Sequence, residues 1–307
     1  MEFNVLSETR ALVTGATGFI GGRLTRRLLS DGARVRCLVR DRRRAEDLSG
    51  LGAELHEGDV LDASSLAGAG EGVDVAYYLI HSMGRGGDGD FSQRERVAAR
   101  AFADMAQNEG IERIVYLGGL GDSVTSKHLR ARHETATILA QHGPPLTYFR
   151  AAMVVGSGSE SYRTLRYLVE RLPVMIAPAW LSTETQPIGL EDVLAYLALA
   201  PQVEESKGRE VQIGGPDVMT YADMLDSMAD ALGKRRRPRL NVPLLSPRLS
   251  SLWIGLVTPV DVGVARPLIE GLRTRTVVDD PTSAALFPVT PQSFDEALRA
   301  ALADEKG

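Results

Sequence analysis

The chain has 307 residues, of which 44% are hydrophobic and 24% charged, and its formal net charge is -5. That balance suits one large α/β domain, or a core with an appended lobe, able to bury a sizeable core without staples. The acidic balance argues against general nucleic-acid binding. A single cysteine, Cys37, excludes an intramolecular disulfide.

Ala11-Leu12-Val13 reads as a first strand. It runs into Thr14-Gly15-Ala16-Thr17-Gly18-Phe19-Ile20-Gly21-Gly22, and a helical pattern from Arg23 to Leu29 leads out. Strand, glycine-rich turn and helix is the arrangement that holds a dinucleotide pyrophosphate. The glycines let the backbone turn tightly, and the helix start offers free N–H groups and a positive dipole end. The spacing is G-x-x-G-x-x-G, on Gly15, Gly18 and Gly21. Its position between a strand and a helix, near the start of the sequence, gives it weight that three glycines alone would lack.

Arg34 to Val39 reads as a second strand. Cys37 lies within it as a small buried hydrophobe. A short helix follows at Ala45 to Leu51, then a weaker strand, Glu54 to Glu57, ending at Gly58-Asp59-Val60. Ala63 to Ala69 suits a helical turn or two. Val73 to Ile80 is nearly continuous in apolar residues, as a strand buried on both faces should be. A long helix is expected from Phe91 to Glu109, where Val97, Ala98, Ala101, Phe102 and Met105 recur at helical spacing. Ile114 to Leu117 is a fifth strand, Leu129 to His142 a helix, and Leu146 to Ala152 a sixth strand. This alternation implies a doubly wound parallel sheet, a Rossmann fold, with helices on both faces.

Beyond Gly156 the alternation loosens. Helices are expected at Ser161 to Leu172, Leu190 to Ala200 and Phe294 to Ala303, with a strand at Glu210 to Ile213. Thr220-Tyr221-Ala222-Asp223 is a capping signature for a helix running to Leu232. Pro238 to Pro247 reads as extended, with helical pieces near Leu249 to Leu256 and Val264 to Leu272. The expected division is a nucleotide-binding core at 1–156, and C-terminal segments at 157–307 that partly return to the core and partly form a smaller substrate or partner lobe. Met1-Glu2-Phe3-Asn4-Val5 has no basic end followed by an apolar stretch, so no secretory signal is expected. No uninterrupted apolar run reaches about 18 residues. A cytoplasmic protein is expected.

In this fold NAD readers place Asp or Glu at the end of the second strand, where it accepts from the ribose 2′-OH. Here Arg40 stands there, followed by Asp41-Arg42-Arg43-Arg44. A guanidinium binds a 2′-phosphate with forked hydrogen bonds, so NADP(H) is favoured over NAD(H), with Asp41 as the opposing feature. The cofactor-binding set is Gly15, Thr17, Gly18, Phe19, Ile20 and Gly21 in the turn, with Arg40. Asp59 and Val60 sit beside the adenine. Leu79, Ile80 and His81 lie at the fourth strand end, where ligands of parallel sheets bind.

The glycine fingerprint, Gly58-Asp59-Val60, the fourth-strand end and Gly214-Gly215-Pro216 before a capped helix resemble an extended or atypical short-chain dehydrogenase/reductase. NmrA-like NAD(P)-binding proteins, and bacterial relatives of the nucleotide-binding accessory subunit of respiratory complex I, are the nearest in feel. The resemblance implies a Ser after the fifth strand and Tyr-x-x-x-Lys on the next helix. Here Gly118 and Gly119 stand at the Ser position, His128 at the Tyr position and Arg132 at the Lys position; Ser123 and Ser126 are substitutes for the Ser. Arg132 suits ribose hydroxyls but cannot deprotonate. His128 can move a proton near neutral pH, or is an exposed helix-start residue. His81 is the other candidate acid/base, against a structural hydrogen-bonding role.

No metal set is readable, since His128 and His133 share no helix face and no carboxylate completes a set. The basic run Lys234 to Arg239 reads as a solvated helix end, or as a contact to an anionic lipid or an acidic substrate. With the low-charge stretch after it, residues 234–272 are a candidate surface for a protein partner or a membrane. Two functions follow. One is an NADP-dependent oxidoreductase on a small carbonyl or alcohol, or a related epimerase or dehydratase. The other is a nucleotide-binding regulator or assembly protein without hydride chemistry.

Overall fold

The computed structural model describes residues 8–80, 88–121, 127–171, 175–177, 179–241 and 273–305. The first half of the chain alternates strand and helix. β1 (Arg10–Thr14), α1 (Phe19–Ser30), β2 (Arg34–Val39), α2 (Glu46–Gly50), β3 (Glu54–Glu57) and β4 (Val75–Tyr78) are followed by α3 (Asp88–Asn108), β5 (Arg113–Gly119), α4 (Lys127–His142) and β6 (Leu146–Ala151). Then come β7 (Val154–Val155), α5 (Glu160–Arg171), β8 (Met175–Ala177), β9 (Glu184–Thr185), β10 (Ile188–Gly189), α6 (Leu190–Leu199), β11 (Glu210–Ile213), β12 (Met219–Thr220), α7 (Tyr221–Ala231), β13 (Arg239–Asn241) and α8 (Phe294–Asp304).

Seven strands form one sheet in the order β11-β6-β5-β4-β1-β2-β3, every neighbouring pair parallel. Alternate side chains go to opposite faces, and each face has its own core. Val13, Cys37, Tyr77, Val115, Phe149 and Val211 meet α1, α2 and α6 on one side. Leu12, Leu38, Tyr78, Tyr116 and Tyr148 meet α3 and α4 on the other. Fully buried side chains such as Leu12, Leu24, Phe102 and Phe149 each contribute about 1.5–3 kcal/mol of transfer free energy.

The segments after Gly156 serve both bodies. β11 completes the sheet beside β6, and α6 packs on α1. A separate cluster joins α5, α7 and α8 through Tyr162, Leu165, Met224, Met228 and Leu298. Both α7 and α8 begin with capping boxes, Thr220 with Asp223 and Ser293 with Glu296.

Several elements differ from the sequence expectation. The strand expected over Val73 to Ile80 contracts to Val75–Tyr78, because the Val73 N–H turns back to the Gly70 carbonyl. The helix expected at Ala45 to Leu51 is preceded by a 3-10 turn at Arg42–Ala45, capped by the Asp41 carboxylate on the Arg43 N–H at 3.1 Å. The two-residue strands β7, β9, β10 and β12 carry too few residues for any alternation to register in the sequence. The basic run is mostly exposed, as expected of a solvated helix end, but Arg237 donates to the Val169 carbonyl at 2.9 and 3.1 Å, and Arg239 reaches Asp226 at 2.6 Å and the Ala222 carbonyl at 2.7 Å. These contacts fasten the start of the proline-rich stretch to the lobe, and β13 pairs there with β8. Ser123, Ser126 and the helical pieces expected within 249–272 lie outside the described residues. Among the described residues, no helix is long and apolar enough to cross a membrane.

Candidate nucleotide cleft

Strand order reverses between β1 and β4, and parallel sheets of this kind hold ligands at the carboxyl ends of strands flanking such a reversal. A cleft of about 820 Å³ lies at that place. Thr14, fully buried, ties the two strand ends: its hydroxyl donates to the Tyr77 carbonyl at 3.1 Å and accepts from the Leu79 N–H at 3.0 Å.

The three glycines of the turn have separate tasks. Gly15 has φ +67°, and a Cβ there would meet the Leu79 carbonyl oxygen at 2.6 Å, so only glycine lets β1 turn against β4. A Cβ on Gly21 would lie 2.7 Å from the carbonyl carbon of Gly15, so this glycine lets α1 close onto the turn. Gly18 is the N-cap of α1, extended at φ -91° and ψ 177°, and no side chain caps the helix. The first-turn N–H groups therefore face a site that only a ligand or water completes, the usual provision for an anion.

Gly15, Thr17, Gly18, Phe19, Ile20, Gly21, Arg40, Asp59, Val60, Leu79 and Ile80 all line this one cleft. Arg40 is exposed and, among the described residues, has no hydrogen-bond or ion-pair partner. Asp41 is engaged elsewhere. Its two carboxylate oxygens accept from Arg43 Nε and Nη2, each at 3.0 Å, and this pairing holds its carboxyl below the usual range. Asp59 closes its own turn, with Oδ1 accepting from the Leu61 N–H at 3.0 Å. Ser65 Oγ accepts from the Asp59 N–H at 2.9 Å and fixes the turn.

At the opposite end, Leu129, Arg132 and Thr135 line the cleft from α4. Arg132 Nε is buried and has no hydrogen-bond partner among the described residues. His128 lies in the first turn of α4, but its side chain is outside the described residues, as is the whole of His81. The positions where a Ser was sought are closed. A Cβ on Gly118 would sit 2.7 Å from Tyr148 Cε2, and one on Gly119 would press on Leu129 Cδ2 at 2.5 Å.

Tyr78, Tyr116 and Tyr148 are register partners across β4, β5 and β6, and the last two rings stack at 5.3 Å. Burial raises all three phenols, Tyr148 up to about 12 and the others further. Tyr78 and Tyr116 line the cleft from the core side, and Tyr148 packs beside them. Cys37 is likewise inert, its thiol pushed up to about 11 by burial.

The lobe supplies a wall that sequence reasoning missed. Met153, Val154, Ser161, Tyr221 and Thr276 line the same cleft. They come from places far apart in the chain: Met153 and Val154 follow the expected sixth strand, Ser161 opens an expected helix and Tyr221 follows the cap at Thr220, and none of these signals pointed to the cleft. Among the described residues, no group of three His, Cys, Asp or Glu side chains is placed to hold a metal.

This geometry defines a dinucleotide-binding α/β domain with a covering lobe. Residues 15–159 match a family model described as NAD(P)H-binding. A photosystem II assembly factor, Ycf39, from Cyanophora paradoxa is 33% identical over 76% of this chain and 71% of its own length. A ceramide reductase from Caulobacter vibrioides is 26% identical over 92% of this chain and 89% of its own. Sterol demethylase protein B from Methylococcus capsulatus is 35% identical, but the match spans 36% of this chain and only 34% of that protein. The structure of an NADPH-dependent quinone oxidoreductase from Escherichia coli, solved with NADPH, superposes with a TM-score of 0.72 at 19% identity, covering 94% of this chain and 98% of that one. The chain belongs to the same family as the Cyanophora paradoxa relative and carries an NAD(P)H-binding domain.

Proposed function

We propose that this protein is an NADP-dependent oxidoreductase acting on a carbonyl or alcohol, with an active site that lacks the Ser-Tyr-Lys set. The observation that carries this reading is the shape of the cleft. It runs past the glycine cradle and the β4 end to Met153, just after β6, and to Tyr221 and Thr276 of the lobe, and so leaves a walled space beside the cofactor. A pure nucleotide sensor needs no such space. Residues 1–156 hold the nucleotide in this reading, and 157–307 contribute the substrate wall. The ceramide reductase relative, aligned along nearly the whole chain, supports the reductase class, although a shared fold alone does not fix a reaction.

The cradle residues suit the cofactor. Free amides at the start of α1 hold the pyrophosphate, Asp59 and Val60 flank the adenine, Leu79 and Ile80 border the nicotinamide, and Arg40 pairs with the 2′-phosphate. When bound, the nicotinamide supplies or accepts hydride. Arg132 holds an acceptor oxygen of the ribose or substrate, which satisfies its buried Nε. A cytoplasmic location goes with this reading.

Purified protein incubated with NADPH and a panel of aldehydes, ketones and quinones tests it, with NADPH oxidation followed by absorbance. Tight NADPH binding with no oxidation by any member would overturn the enzyme reading. That result would favour the second one, a nucleotide-dependent assembly or regulatory protein. The Cyanophora paradoxa assembly-factor relative and the sealed Ser position support that alternative.

A further inference from the structure

At the end of β5, Gly118 and Gly119 offer no hydroxyl, and Tyr148 and Leu129 occupy the space beside them. The lobe brings hydroxyls to the same place from above. Thr276 lies against the turn after β5: a Cβ on Gly121 would touch its Cγ2 at 2.9 Å. Two backbone hydrogen bonds fix Thr276 to the β9 region, its N–H to the Glu184 carbonyl at 3.2 Å and its carbonyl from the Gln186 N–H at 2.9 Å. Its hydroxyl lies 2.7 Å from that of Thr185, which is fully buried.

Tyr221, the first residue of α7, stands beside both threonines. It is 5% exposed and is among the residues that line the cleft. Its ring is held edge-on against Trp180 at 6.1 Å. Burial pushes its phenol up to about 12, while the Thr185 and Thr276 hydroxyls pull in the opposite direction. It is therefore a protonated donor throughout the neutral range. On the other side of the β5 end, Arg132 approaches Gly119, with Nη1 at 3.9 Å from the position of a Cβ there. A substrate oxygen over Gly119 to Gly121 would have the Arg132 guanidinium on one side and, on the other, the wall that Thr276 and Tyr221 give the same cleft.

We propose that Tyr221, backed by Thr276 and Thr185, is the catalytic residue that donates a proton to the substrate's carbonyl oxygen, in place of the tyrosine missing from α4. This assignment rests on the reductase reading above. As hydride from bound NADPH reaches the carbonyl carbon, the C=O π pair moves to oxygen and that oxygen takes the Tyr221 proton. The products are the alcohol, NADP+ and a phenolate, which regains a proton from water once the cleft empties. In the Thr185–Thr276 pair one hydroxyl donates to the other, which leaves one hydroxyl proton free to donate to the phenolate in the interval, the moment when a buried negative oxygen most needs it.

The test uses a chromophoric carbonyl, 4-(dimethylamino)cinnamaldehyde, whose absorption moves to the red when a donor polarises its oxygen. It is titrated into NADP+-loaded protein, where no reduction occurs. The wild type is expected to show the red shift. Tyr221→Phe, which keeps the ring on Trp180, is expected to lose most of it while binding NADP+ as well as the wild type. Thr276→Val is expected to lose part of it. A shift unchanged in Tyr221→Phe and abolished in His81→Ala or His128→Ala would overturn the proposal. So would the absence of any shift in wild-type protein shown to hold NADP+. Failure to hold NADP+ at all would instead remove the cofactor reading beneath it. Where the wild type turns over a carbonyl, a rate flat from neutral to mildly alkaline pH supports Tyr221. A rate that falls through the range of an ordinary imidazole overturns it.

Discussion

Tyr148 lies directly over Gly118: the space for a Cβ on that glycine ends 2.7 Å from ring atom Cε2 and 2.8 Å from the phenolic oxygen. The glycine and the tyrosine belong to adjacent strands, and the ring is itself stacked on Tyr116 and 6% exposed. The absence of a family-type serine is thus a packing fact, linked to the tyrosine row at the cleft. Gly118→Ser should not create an oxyanion-binding hydroxyl. It should overpack the core and cost about 1–3 kcal/mol. A lowered denaturant midpoint with unchanged m-value would bear this out; a variant as stable as the wild type would show that the ring moves freely.

Arg40 is expected to decide between the two dinucleotides. The competing carboxylate next to it is already held by Arg43 on both oxygens, so it does not oppose a phosphate at Arg40. Replacing Arg40 with Asp should weaken NADPH by about 1.5–3 kcal/mol, the range for a hydrogen bond to a charged group, and leave NADH nearly unaffected or improved. Titration of nicotinamide fluorescence gives both constants. Asp41→Ala should change the preference far less. Equal losses for both cofactors in the Arg40→Asp variant would mean that Arg40 supports the turn and does not read the 2′ position.

The sequence exposed the sheet and the cradle because both are local. A buried parallel strand is a short apolar run, and a pyrophosphate turn is a glycine pattern between two such elements, so β1, β2, β5 and β6 and the cleft residues from Gly15 to Ile80 were legible. The lobe wall was not. Tyr221, Thr276 and Met153 approach one another only through pairings such as Thr185 with Thr276, which involve one or two residues a side and leave no periodic trace. Thr14 was read as the first residue of the glycine stretch, but the bridge its hydroxyl makes between Tyr77 and Leu79 leaves no trace in the sequence.

The glycines should separate by experiment. In Gly21→Ala the new methyl meets backbone only, 2.7 Å from the Gly15 carbonyl carbon and 3.1 Å from Ala16 Cα, and no flexible side chain can give way. About 1 kcal/mol gained in helix propensity does not offset that overlap, so the melting temperature should fall. In Gly18→Ala the nearest atom is the Gly15 carbonyl oxygen at 3.0 Å and the backbone is already extended, so folding should be nearly normal. The methyl instead borders the helix start where an anion would approach. NADPH affinity should drop in this variant without a matching loss of thermal stability. The reverse pattern, stable Gly21→Ala and unfolded Gly18→Ala, would contradict the assignment of tasks.

Asp192 gives the fold a pH dependence whose sign can be worked out. It is 6% exposed in the first turn of α6, and Oδ2 accepts from the Gln292 N–H at 3.0 Å, which joins α6 to the segment before α8. Burial raises its carboxyl above the ordinary value, while the hydrogen bonds from the Gln292 and Gly189 amides act in the opposite direction and do not cancel it. A folded state that holds this proton more tightly than the unfolded chain gains stability from it in acid. The gain is complete below the unfolded value and disappears as pH rises through the folded one. Asp192→Asn keeps an oxygen for the Gln292 amide but has no proton to release. The stability of the wild type minus that of Asp192→Asn should therefore decrease from about pH 4 upward, then level off once the folded carboxyl has ionised. Denaturant unfolding of both proteins along a pH series measures the difference directly and cancels the other carboxylates. A difference that grows with pH would mean that the two amides outweigh burial and that Asp192 is held as a carboxylate anchor.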